Sequence, residues 1–229
     1  MKQMYIKVNG IELYYEKTGY GRPIILLHGN GESHDIFDVL TKQLSPNYTV
    51  YAIDSRDHGK SGRVKHLDYG DMMEDIAAFI KELKIESPIL YGFSDGGIIG
   101  VLLVIKYPVI ISKLIISGAN TNPDGMKRIS ALSVKIIYFF TRNRKFKLML
   151  TQPNIMDAEL NTIVTPTLLL AGSKDIVKDE HTKNIAANIP RSILRILDGE
   201  SHASYVIHSE KLYSIIKLFL TERVSSVST

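Results

Sequence analysis

The chain has 229 residues, 45% of them hydrophobic and 23% charged, with a formal net charge of +4 and no cysteine. This composition suits one compact domain with a sizeable core and excludes disulfide frameworks, thiolate metal sites and cysteine nucleophiles. The positive balance is too small and dispersed for a nucleic-acid surface, the longest apolar stretch is far short of the roughly 18 residues of a spanning helix, and the N-terminus lacks a signal-peptide pattern, which points to a cytoplasmic protein without stable membrane insertion.

In chain order, residues 4–8 and 11–16 alternate apolar and polar about Asn9-Gly10, a pair suited to the positive-φ turn of a hairpin. Short apolar runs then recur at 24–27, 48–53, 89–91, 114–116, 167–170 and 193–197. They read as strands covered on both faces, as a parallel sheet requires. Between them, 35–44, 69–83, 98–107, 180–189 and 209–220 carry apolar residues three and four apart and read as helices. The alternation predicts an α/β, doubly wound sheet. The interval 120–165 holds no strand pattern, and its centre, 129–150, reads as one or two helices. Long connections in compact domains are commonly lids or binding loops, so this interval is expected to be a small helical cap within a single domain spanning 1–229.

Chemistry concentrates at Gly92-Phe93-Ser94-Asp95-Gly96. A bare G-x-S-x-G says little, but here a buried strand leads in and an apolar helix leads out, the setting of a nucleophile on a sharp strand-to-helix turn. The glycines spare such a strained turn from side-chain collisions, and the Asp95 N–H falls at a helix start, where free donors favour an anion. A serine hydroxyl needs a base, and the base needs an orienting acid. Asp175 and His202 follow successive strands at their C-terminal ends, the edge where open α/β sheets hold ligands. His28-Gly29-Asn30-Gly31 follows the strand 24–27, and a Gly-rich turn there can aim the Asn30 N–H at the point faced by that of Asp95, as an oxyanion hole.

Together with Asp54-Ser55-Arg56-Asp57-His58-Gly59-Lys60-Ser61, these motifs resemble the α/β-hydrolase superfamily over nearly the whole chain. The resemblance implies an eight-stranded, mostly parallel sheet, with Ser94 as nucleophile, Asp175 as acid and His202 as base, and hydrolysis of an ester or similar acyl bond with no cofactor and no metal. Asp57 stands where the family's D-x-R-G-x-G-x-S has glycine, and that loop is read as architecture. Asp179 is the rival acid, with Asp124 further along; His208 and His181 are rival bases. His28, His58 and Arg56 are read as bracing the loops.

Phe139, Phe140 and Phe146 of the cap are expected to line an apolar substrate pocket. Met126 and Met149 are read as core, with a pocket role the alternative. The cluster Arg142, Arg144, Lys145 and Lys147 is read as a solvated helix face, the alternatives being attraction of an acidic substrate or of an anionic membrane. The expectation is a serine hydrolase cleaving small to medium, mainly apolar carboxylic esters through an acyl-enzyme. The alternatives are a ligand sensor retaining a slow triad, or hydrolysis of lactones, thioesters or carbon–carbon bonds. The partner is a small-molecule ester; the sequence does not fix an oligomeric state.

Overall fold

The computed structural model describes residues 2–222; residue 1 and residues 223–229, part of the expected single domain, lie outside the described residues. Eight strands form one open sheet: β1 (Lys2–Val8), β2 (Ile11–Thr18), β3 (Arg22–Leu27), β4 (Tyr48–Ile53), β5 (Ile89–Phe93), β6 (Lys113–Ser117), β7 (Thr167–Lys174) and β8 (Ser192–Ser201). Their spatial order is β1-β2-β4-β3-β5-β6-β7-β8, antiparallel for β1/β2 and β2/β4 and parallel from β4 onward. The hairpin turns at Asn9 and Gly10, both with positive φ, which matches the twist of its strands.

Helices cover both faces. Alternate side chains of β3 show the division. Ile25 and Leu27 pack with α2 (Tyr69–Glu82), α3 (Asp95–Lys106) and α7 (Asp179–Asn188). Ile24 and Leu26 pack with α1 (Asp38–Leu44) and α8 (Lys211–Thr221). The expected helix at 35–44 is divided, with a 3₁₀ turn at His34–Phe37 before α1. Asp68 starts α2 by accepting the Gly70 and Asp71 N–H groups, offsetting donors that a helix leaves unpaired. The apolar-run reading holds for the interior strands, but β8, at the sheet edge, leaves Ile193 and Ile196 exposed.

The cap interval folds into α4 (Arg128–Thr141), α5 (Arg144–Thr151) and the short α6 (Asp157–Leu160). The base of the cap is tied to the sheet domain by main-chain bonds. Lys127 N–H donates to Ile176 O and Lys178 N–H to Gly125 O, both at 2.8 Å, around the bridge of Met126 to Val177. The cap is thereby stitched to the loop that follows β7, the loop that carries Asp175.

Candidate active site

Ser94 occupies the tip between β5 and α3 with φ +51° and ψ −113°, a region that costs a side-chain-bearing residue of order 1–3 kcal/mol. The surrounding fold holds it there: its N–H donates to Ser117 O at 2.8 Å, and Gly96 N–H donates to His28 O at 3.1 Å. Gly96 is needed for the close approach, since a Cβ there would stand 2.2 Å from Leu27 O. The turn is thus clamped between the ends of β3 and β6.

The ends of β7 and β8 bring the next two groups in. The Nδ1–H of His202 donates to Asp175 Oδ1 at 2.7 Å, and the Oγ–H of Ser94 donates to Nε2 of the same ring at 3.1 Å. The carboxylate fixes the tautomer, because a ring that gives its Nδ1 proton to Asp175 presents Nε2 as an acceptor. Asp175 is buried and also accepts the Val177 N–H at 3.1 Å. Burial disfavours its charge, but the hydrogen bond and field of His202 outweigh that and hold its pKa below the usual carboxylate range. Gly118, at φ +64°, makes room for the ring: a Cβ there would meet it at 2.7 Å.

The rivals lie elsewhere. His208 is exposed and paired with Asp38 at 2.7 Å, and Asp179 faces Lys127. His181 Nε2 accepts the Thr121 N–H at 3.0 Å, and Asp124 is exposed. His28 braces the turn after β3: its Nδ1–H donates to Gly29 O at 2.7 Å and its Nε2 accepts the Ser55 N–H at 3.0 Å. Arg56 is engaged by Asp71 and by both oxygens of Asp75, so the loop reading of these residues fits their contacts.

A pocket of about 370 Å³ stands over Ser94 and His202, within the range of small-molecule sites. Phe93, Phe146, Met149 and Ile176 supply its apolar walls, while Asn30, Glu32 and Lys145 supply its polar ones. Of the three cap phenylalanines, Phe146 lines it and Phe139 and Phe140 do not. The latter two are 63% and 78% exposed on the outer side of α4, because that helix buries Val134 on its inner side and leaves the opposite stripe uncovered. Met149, read as core, is a pocket residue, and Lys145, read as part of a solvated face, is half-buried at the pocket wall.

Three further features escaped the sequence. Asn30 holds more than a backbone N–H at the pocket: its Nδ2 donates to Asp95 Oδ2 at 2.9 Å and to Lys145 O at 3.2 Å, tying the turn after β3 to the Ser94 turn and the cap. Asp95 is buried and also accepts the Tyr69 hydroxyl at 2.7 Å; burial raises its pKa against those two donors. Glu32, half-buried beside Ser94 and His202, accepts the Gly29 N–H at 2.9 Å, and its partial burial raises its pKa as well. A signal existed only for Glu32, an acid two residues past Asn30.

Comparison with known proteins follows the same outline. Residues 22–130 match the model of the α/β-hydrolase fold family. The human serine hydrolase BPHL is 30% identical over 94% of this chain and 85% of its own length, and the AB hydrolase superfamily protein YisY of Bacillus subtilis is 27% identical over 94% and 98%. Among solved structures, the esterase EaEST of Exiguobacterium antarcticum superposes with a TM-score of 0.85, covering 96% of this chain and all of its own at 22% identity. Sequence relatives, sheet order and elbow agree: this chain belongs to the α/β-hydrolase superfamily and is a hydrolase.

Proposed function

We propose that the protein is a serine hydrolase of small to medium, mainly apolar carboxylic esters, working through an acyl-enzyme. The observation that carries this reading is the unbroken hydrogen-bonded line from Asp175 through His202 to Ser94 at the floor of an apolar-walled pocket. In the first step His202 Nε2 takes the Ser94 proton as Oγ attacks the ester carbonyl, and the ring becomes an imidazolium that Asp175 stabilises. The new oxyanion lies against the N–H groups of Asn30 and Asp95, each such donor being worth about 3 kcal/mol in the transition state. Collapse breaks the carbon–oxygen bond, and the leaving alkoxide takes the proton from Nε2. Water then enters, gives a proton to Nε2 as it attacks the acyl carbon, and the acid leaves as Ser94 recovers its proton. These steps use protein groups and water alone.

The walls set by Phe93, Phe146, Met149 and Ile176 favour an apolar acyl or alkyl group, and the volume suits a short to medium chain. The test is hydrolysis of p-nitrophenyl esters of increasing chain length by wild type and Ser94→Ala, with a fluorophosphonate label located by mass spectrometry. Label on Ser94, a rate lowered by at least about 10⁴-fold in the variant, and an optimum at short to medium acyl length are the expected results. A folded wild type that neither labels nor turns over would sink the reading.

A further inference from the structure

Helix α4 is amphipathic in the inverted sense. Ile129, Leu132, Ile136, Phe139 and Phe140 recur three and four residues apart, which places them on one stripe. That stripe faces away from the fold: Ile129 is 82% exposed and the other four are also exposed, while Val134 is the buried residue of the helix. A row of large apolar side chains left in water is unusual on a soluble domain and marks a binding surface. Hydrolysis at Ser94 makes no use of it, and Phe139 and Phe140 lie outside the pocket.

The charge around the stripe says what covers it. No acidic residue occurs between Asp124 and Asp157, whereas Lys127, Arg128, Lys135, Arg142, Arg144, Lys145 and Lys147 all fall in that interval. Lys127 and Arg144 are paired, with Asp179 and Asp57, and among the described residues Arg128, Lys135, Arg142 and Lys147 have no acidic partner. At the C-terminal end of α4 a second cavity, of about 600 Å³, is lined by Arg63, Lys65, Arg142, Arg144 and Lys145, with Asp57 the acid among its walls. This cavity shares Asn143 and Lys145 with the pocket over Ser94.

We propose that α4 is an interfacial helix that seats this hydrolase on an anionic lipid bilayer, the apolar stripe entering the acyl boundary and the basic cavity facing headgroup phosphates. A helix of this pattern, apolar on one side and cationic beside it, lies in the plane of a membrane surface. With 14 residues it extends only about 21 Å, and no described helix is long and apolar enough to cross a membrane. A second copy of the chain is the less fitting cover, because two such faces brought together would oppose uncompensated cations. The proposal rests on the cap surface alone and stands apart from the ester reading.

The test is co-sedimentation with vesicles of phosphatidylcholine alone and of phosphatidylcholine mixed with phosphatidylglycerol, at low and high salt. Wild type is expected to pellet with the mixed vesicles at low salt, to be released in part by high salt, and to stay in solution with phosphatidylcholine alone. Ile136→Asp with Phe140→Asp is expected to abolish pelleting. Lys135→Gln with Arg142→Gln is expected to weaken it by about five-fold for each charge removed, and this pair decides the matter if the first variant does not fold. These positions lie outside the pocket, so turnover of a water-soluble ester stays at the wild-type rate. Wild type that ignores both vesicle types, or pellets equally with both, overturns the proposal, as does a folded Ile136→Asp/Phe140→Asp variant that pellets like wild type. A wild-type dimer that this variant turns to monomer, with no vesicle binding, assigns the stripe to self-association instead.

Discussion

Ser94 sits at φ +51°, where its Cβ is strained, and its neighbours hold it there through main-chain bonds at both ends of the turn. Strain of this kind is stored at reactive positions and offset by the rest of the fold. Two variants that lack the hydroxyl separate strain from chemistry. Ser94→Ala removes the hydroxyl and keeps the Cβ, whereas Ser94→Gly removes both. We expect Ser94→Gly to be the more stable of the two by about 1 kcal/mol, the relief of strain less the added freedom of the unfolded chain. Urea unfolding of the pair measures this directly, and a Ser94→Gly variant less stable than Ser94→Ala would show that the turn carries no side-chain strain. Asp95 makes a second point at this scale. Its place was legible as the residue after Ser94 in the G-x-S-x-G turn, but its side-chain bonds to Tyr69 and Asn30 join positions 26 and 65 residues away, which no local pattern encodes.

Helix α5 carries Lys145, Phe146 and Met149 to the pocket, so its placement sets the shape of the site. Asp57 fixes it: Arg144 Nε and Nη2 donate to the two carboxylate oxygens at 2.7 and 2.8 Å. Asp57 has φ +64°, a conformation that glycine adopts without penalty. The departure from the glycine of the family motif, read as architecture, is therefore one of the ties that hold the cap, the one at the start of α5. Asp57→Gly trades the ion pair for a relaxed backbone, so global stability is expected to change by no more than about 1 kcal/mol. The substrate KM is expected to rise several-fold and amide exchange in residues 144–151 to quicken. Asp57→Asn, which keeps the strain and loses the charge, is expected to be the less stable variant. Exchange in α5 that both substitutions leave unchanged would remove the anchoring role. At the same scale, the sequence marked one or two cap helices over 129–150 but not which faces they bury, since α4 could present either side until α5 packed against it.

The whole molecule carries a pH dependence written into its buried histidines. Burial lowers His28 to about 4 and His58 to about 3 from the ordinary 6.5; the neighbouring His28 adds to the effect at His58. Both are therefore neutral when folded, while the unfolded chain takes up protons below 6.5. Between pH 6.5 and about 4 the unfolded state binds more protons, so stability rises with pH there and is lost on acidification. The slope is at most about 1.4 kcal/mol per pH unit for each ring. His34 works in the opposite sense: burial opposes its charge, yet the Asp54 carboxylate keeps its pKa raised, so its contribution is present at low pH and fades as pH rises. Urea unfolding across this range is expected to show His58→Gln with a flatter pH profile than wild type; an identical profile would exclude His58 as a source of the acid lability.

The sequence by itself determined the order of strands and helices, the open α/β sheet and the three residues at the ends of β5, β7 and β8. Period and turn chemistry are local, and parallel strands deliver their C-terminal loops to one edge whatever the packing in between. Only the tertiary structure decided which side chains of the cap face that edge. Phe146 turns in and Phe139 and Phe140 turn out; Lys145 leaves the solvent for the pocket wall, and Asp57 meets Arg144 across 87 residues. Such choices depend on which faces of distant segments meet, and amphipathic spacing fixes the faces of a helix without saying which one the fold will cover.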